Sequence, residues 1–206
     1  MNEAASLSDG KVILVGHSAG GMTISAVAEQ VPDLLLAVVY LAGFMVPNTL
    51  LAVLKHQSMS SALGPRLFVG DPAAIGATRI HAGSTDEAYR SLLKAAFHGE
   101  VSESEFAHAA SQLHCDEPNA GALAPSEITP GRFGGLPRHY IRCTQDRAIP
   151  LAGQDHMITA VDRAIGGETT THTLESSHSP FLSQPAALSQ ILMDIHVQSL
   201  RSAEAP

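Results

Sequence analysis

Apolar and polar positions alternate between two periods along this chain, and the switches mark the elements. Lys11-Val-Ile-Leu-Val-Gly16 is a short β-branched apolar run closed by glycine, the pattern of a strand buried on both faces. Ser18 to about Gln30 is Ala-rich and stops at Val31-Pro32, which predicts a helix. Leu34 to Leu41 is a second buried strand, so the three segments make a βαβ unit with an expected right-handed crossover.

From about Gly43 to Pro130 the pattern is helical or irregular and predicts no strand. One helix is expected to begin at Thr85-Asp-Glu, with Ala88, Leu92, Leu93, Ala96 and Phe97 inward. Another begins at Ser102-Glu-Ser-Glu, with Phe106, Ala110 and Leu113 at helical spacing. Pro118 to Pro137, rich in proline and glycine, is expected as connecting loop. Strand character resumes at Arg138–Cys143, a helix follows over Leu151–Ala164, and Thr169–Leu174 is a Thr-rich strand. Pro185 to about Leu200 closes the chain as an amphipathic helix with Leu188, Ile191, Leu192 and Ile195 inward. The order predicts an α/β fold: a mostly parallel sheet of about four strands, flanking helices and a helical insertion. Residues 1–46 and 131–206 would form the core and residues 47–130 a lid.

Composition narrows the function. The chain has 206 residues, 45% of them hydrophobic and 16% charged, enough apolar content for one sizeable core and too much for disorder. The formal net charge of −8, with no Lys/Arg run, argues against a nucleic-acid partner. No apolar run reaches the length of a membrane span, and the polar start does not read as a signal peptide. Two cysteines, Cys115 and Cys143, make no disulfide framework, so a cytoplasmic, reducing location is expected.

Gly16-His17-Ser18-Ala19-Gly20-Gly21 carries the chemistry. It matches G-x-S-x-G between a buried strand and a helix, where a nucleophilic serine stands on a sharp, strained turn. Gly16 and Gly20 are expected to remove side chains that would clash around that turn. The Ala19 amide, at the helix start, can hold a developing oxyanion. The alternative for Ser18 is a helix-capping serine, which the glycines and the context disfavour.

A serine hydroxyl needs a base, and the base needs an orienting carboxylate. Asp146 and His178 each follow a strand, in the chain order Ser, Asp, His. His17 is expected to pack beside the nucleophile and to belong to the substrate site. Met22 and Met45 read equally as pocket lining or as core. His98, His108 and His114 fall in the lid, and no H-x-x-x-H or H-E-x-x-H pattern suggests a metal.

These residues resemble the α/β-hydrolase superfamily. Gly16–Gly21, Cys143–Pro150 and Ser177–Pro185 are similar to its three catalytic segments. The last two look most like a branch holding bacterial esterases, pyrethroid-type ester hydrolases, plant methyl esterases and hydroxynitrile lyases. The resemblance spans about residues 8–198. It implies Ser18 as nucleophile, His178 as base and Asp146 as its partner. Ser179 stands where the lyases carry lysine, which favours ester hydrolysis. The expected activity is cleavage of small to medium lipophilic carboxylic esters through an acyl-enzyme, without metal or organic cofactor. A dimerising, catalytically impaired binding module, and a lyase or acyltransferase on the same triad, are the alternatives.

In that superfamily further strands precede the elbow strand, and a loop after the third supplies the second oxyanion amide. Here residues 1–8 resemble the end of the helix before the elbow strand, and His98-Gly99 does not replace that loop. Strand 11–16 would then be an apolar sheet edge. The expectation is a homodimer in which two such edges meet antiparallel.

Overall fold

The structure, a computed structural model, describes residues 10–60, 64–118 and 127–204. The helix expected over residues 1–8 therefore lies outside the described residues. Four strands form one parallel sheet: β1 (Val12–His17), β2 (Leu35–Leu41), β5 (Arg138–Cys143) and β6 (Thr169–Leu174), in the order β1-β2-β5-β6. Helix α1 (Gly20–Gln30) links β1 to β2, α7 (Leu151–Ile165) links β5 to β6, and the short α8 (Pro180–Ser183) precedes α9 (Pro185–Glu204), which ends the described chain.

Side-chain alternation along β2 sends Val38 and Tyr40 to one face and Val39 and Leu41 to the other. The first pair packs with Ile24 and Ala28 of α1 and Met157 and Val161 of α7. The second packs with Ile141, Cys143, and Leu188 and Ile195 of α9. Tyr40 and Tyr140 are register neighbours whose rings stack 6.1 Å apart, and their buried hydroxyls bond to Ser25 Oγ and the Gly43 carbonyl. Each hydroxyl thus has the partner that burial demands.

The two sheet edges differ. β6 presents Thr170, Thr171 and Thr173 outward, a polar edge that suits solvent. β1 is paired on one side only among the described residues, and its Val15 is 43% exposed.

Between β2 and β5 lie the short helices α2 (Leu50–Leu54), α3 (Gly64–Leu67) and α4 (Pro72–Ile75), then the longer α5 (Glu87–Phe97) and α6 (Glu103–Gln112). Asp86 caps α5 by accepting from the amides of Ala88 and Tyr89, and Ser102 and Glu105 close a reciprocal capping box on α6. Leu93, Ala96, Phe106 and Ala110 close an apolar cluster separate from both sheet faces. Ala88 and Leu113, expected inward, are exposed.

The expectation of no strand in this stretch is corrected. β3 (Ala77–Arg79) pairs antiparallel with β4 (Asp116–Pro118), so Pro118 is a strand residue. Three-residue strands are too short to show a period. This pair is held by the bidentate Arg79–Asp116 contact, at 2.6 and 2.7 Å, which only the fold brings together. Residues 119–126 of the expected loop lie outside the described residues. Among the described residues no helix is long and apolar enough to cross a membrane.

Candidate active site

The elbow follows from packing. Ser18 takes φ +53°, a left-handed conformation that non-glycine residues seldom adopt. Its carbonyl accepts from the amides of Gly21 (3.0 Å) and Phe44 (2.9 Å), and its own amide donates to Leu41 O (3.3 Å). The strained residue is therefore pinned on both sides. A Cβ on Gly16 would lie 2.7 Å from the Gly20 carbonyl oxygen, and one on Gly21 2.6 Å from the Phe44 carbonyl oxygen. A Cβ on Gly20 would meet nothing within 4 Å. The steric requirement assigned to Gly20 thus belongs to Gly21, because α1 presses against the 43–44 backbone at that point.

Ala19 caps α1 with helical dihedrals, and Gly20 begins the helix. The first amides of a helix have no acceptor within it. Those of Gly21 and Met22 turn back onto Ser18 and Ala19, leaving the amides of Ala19 and Gly20 as donors for an anion.

Asp146 sits in the loop after β5, and both its oxygens are engaged. Oδ1 accepts from the amides of Ala148 (2.8 Å) and Ile149 (2.9 Å), and Oδ2 accepts from His178 Nδ1 (2.7 Å). Gln154, fully buried on α7, holds this loop: it bonds both backbone groups of Cys143, donates to Ile149 O at 2.8 Å and reaches Asp146 Oδ2 at 3.4 Å. The sequence reading missed Gln154. The signal available was an amide on the buried face of α7, in line with Met157, Ile158 and Val161.

His178 lies in the loop after β6 and is 2% exposed. A carboxylate only accepts, so Nδ1 carries the proton that faces Asp146. In the neutral ring Nε2 then holds a lone pair. Nε2 is buried and has no partner among the described residues, so the Ser18–His178 hydrogen bond is open in this structure.

His17 bridges the elbow and His178. Its Nε2 donates to the His178 carbonyl at 2.8 Å, its ring lies 4.6 Å from that of His178, and Phe181 meets it edge-on at 5.0 Å. Burial, then the neighbouring His178, pushes the His17 pKa down to about 3, so the ring is neutral and serves as packing and donor. Met45 is fully buried in the sheet core, and Met22 packs partly against the same core.

The segment after α5 reaches the loop that carries His178. Gly99, just past α5, donates to Ser177 Oγ (3.1 Å), and the Ser177 amide donates to Glu100 Oε1 (2.5 Å). Burial raises the Glu100 pKa, but hydrogen bonds from Ser177 and Ser176 outweigh it and hold the carboxyl below its usual range. A cavity of about 700 Å³ opens here between Gly99, Glu100, Arg147 and Ser177. Among the described residues no group of three or more His, Cys, Asp or Glu is placed to hold a metal.

A parallel sheet with a serine elbow after one strand, and a carboxylate–imidazole pair after two others, is the arrangement of an α/β hydrolase. The sequence profile of the alpha/beta hydrolase family matches residues 2–191, and the chain belongs to that family. It is 29% identical over 195 residues to putative methylesterase 11, chloroplastic, of Arabidopsis thaliana, covering 90% of this chain and 46% of that protein. It is 31% identical over 205 residues to salicylic acid-binding protein 2 of Nicotiana tabacum, covering 91% and 71%. The crystal structure of a pyrethroid hydrolase from Sphingobium faniae superposes with a TM-score of 0.78 at 22% identity, covering 99% of this chain and 76% of that one. The chain thus spans less than half the length of the first relative and about three quarters of the solved structure.

Proposed function

We propose that the protein is a serine hydrolase that cleaves small to medium lipophilic carboxylic esters through an acyl-enzyme. The observation that carries this reading is the Asp146–His178 pair, at 2.7 Å, with Nε2 bare and His17 of the elbow packed on the same imidazole. Relatives named as methylesterases support the ester as substrate class.

In this reading Ser18 Oγ attacks the ester carbonyl carbon as its proton passes to His178 Nε2. The oxyanion forms against the Ala19 amide. The imidazolium, steadied by Asp146, gives its proton to the departing alkoxide, leaving an acyl group on Ser18 Oγ. Water, deprotonated by the same nitrogen, attacks that acyl carbonyl and releases the acid. The separate apolar cluster of Leu93, Ala96 and Phe106 supports residues 47–130 as a cap over this centre. The free thiols of Cys115 and Cys143 support a reducing, cytoplasmic setting.

The test is intact-mass spectrometry after exposure to a fluorophosphonate. One adduct on the protein, absent in Ser18→Ala, is expected. A folded protein that takes no adduct overturns the reading and favours the non-catalytic binding module, whose support is the open Ser18–His178 contact.

The apolar outer edge of β1, with Val15 exposed, favours a second reading for assembly: two β1 edges pair antiparallel about a two-fold axis and extend the sheet. Light scattering is expected to give the mass of a dimer, and a monomer would overturn this.

A further inference from the structure

Four buried side-chain atoms lack a hydrogen-bond partner among the described residues, and two of them are the ring nitrogens of His98. A third is Nε2 of His178. Buried polar atoms are almost always satisfied, so an imidazole with neither nitrogen engaged needs a reason. His98 is 5% exposed and caps the C-terminal end of α5, its amide donating to Lys94 O at 2.7 Å. Its ring lies between Phe97 (6.2 Å) and Phe106 (5.8 Å), and Phe97 also lies against His178 (5.6 Å). Phe97 is thus shared between the two imidazoles.

The backbone fixes this placement. The next two residues, Gly99 and Glu100, are bonded to Ser177, whose neighbour in the chain is His178. His98 therefore rides on the segment stapled to the loop that carries the base. Burial, then the proximity of His178, lowers its pKa to about 4. At neutral pH the ring offers one N–H and one lone pair.

We infer that His98 is a specificity-determining residue that hydrogen-bonds a hydroxyl group carried by the ester, selecting hydroxy esters over their alkyl isosteres. A hydroxyl fits because it can accept from the N–H or donate to the lone pair, and so suits either tautomer. A carboxylate would add a second negative charge beside Glu100 without a cation on the imidazole to meet it. An alkyl group leaves both nitrogens unsatisfied, and that asymmetry is what lets a buried polar site reject an analogue lacking the hydroxyl. The inference rests on the hydrolase reading for the identity of the ligand as an ester.

Two experiments test it. In the first, methyl esters of 2-, 3- and 4-hydroxyalkanoic acids are compared with isosteres in which methyl replaces hydroxyl. The wild-type kcat/KM is expected to favour at least one hydroxy ester by about tenfold or more. His98→Phe should lower kcat/KM for the hydroxy ester about tenfold more than for its alkyl isostere, abolishing the preference, and His98→Gln, which keeps a donor and an acceptor, should restore part of it. An equal fall for both ester types, or a preference that survives in His98→Phe, overturns the inference in favour of a structural role.

The second experiment needs neither turnover nor a His98 variant that folds. Ser18→Ala labelled with nitrogen-15 histidine is titrated with the same ester pairs and the imidazole nitrogens are followed by NMR. The His98 nitrogens are expected to shift with a hydroxy ester and not with its isostere; equal shifts, or none, overturn the inference. Failure of the fluorophosphonate to label Ser18 would reject the hydrolase reading, whereas a labelled enzyme with silent His98 nitrogens would reject only this one.

Discussion

His178 Nδ1 donates to Asp146 Oδ2 across 2.7 Å, joining two loops that leave the neighbouring parallel strands β5 and β6. The bond fixes the imidazole tautomer, because the carboxylate has no proton to give. It also sets Nε2 as the basic nitrogen, without any contact from Ser18 being required to do so.

Replacing Asp146 with Asn should undo that choice, because the amide can donate to Nδ1 and put the ring proton on Nε2. The expected result is a fall in kcat of roughly 10⁴ with a much smaller change in KM. Steady-state kinetics on a chromogenic ester measures it, and an unchanged kcat would mean that the tautomer is held by something other than Asp146.

Gln154→Leu should cost stability and activity together. The change leaves the buried Cys143 amide and Ile149 carbonyl without their partner and the Cys143 carbonyl with only the Asp146 amide at 3.4 Å, worth about 3 kcal/mol in all. Because the same loop carries Asp146, kcat should fall in the folded variant as well. Urea unfolding and a rate measured well below the transition separate the two effects.

The elbow glycines should differ sharply. Gly16→Ala places a methyl 2.7 Å from backbone and is expected to destabilise by about 1–3 kcal/mol. Gly20→Ala enters open space at the start of α1 and should lie within about 1 kcal/mol of wild type, on the stabilising side. Calorimetric Tm values compare them directly, and equal losses would contradict the packing described for α1.

Acid should destabilise the fold in a defined window. His17 is held to about 3, and His98 and His139 to about 4, each chiefly by burial, so the folded state keeps these rings neutral. An unfolded chain protonates them near 6.5. Their folded pKa values are depressed, so the unfolded state binds more protons between roughly pH 6.5 and 4, and stability falls as pH drops through that range. Urea midpoints at pH 7.5, 6, 5 and 4.5 should decline steadily, and His139→Gln should decline less steeply. A flat profile would show that the rings are not buried neutral.

The amino-acid order by itself determined the parallel α/β core. Buried strands written as continuous apolar runs, an Ala-rich helix ended by Val31-Pro32, and an amphipathic last helix are local patterns, and the observed β1, β2, β5, β6, α1, α7 and α9 follow them closely. The elbow was equally legible, since a strained serine turn demands glycines at fixed short offsets. The tertiary structure decided the rest, because it depends on approach between residues far apart in the chain. The β3–β4 pair depends on Arg79 reaching Asp116, 37 residues away. The second steric glycine, beside Gly16, is Gly21 rather than Gly20 because Phe44 lies over it. Gln154 matters because α7 brings it back under the Asp146 loop, and His98 because Ser177 ties its segment to the His178 loop. A periodicity records which face of an element is buried, whereas the partner met on that face is fixed only when the elements pack.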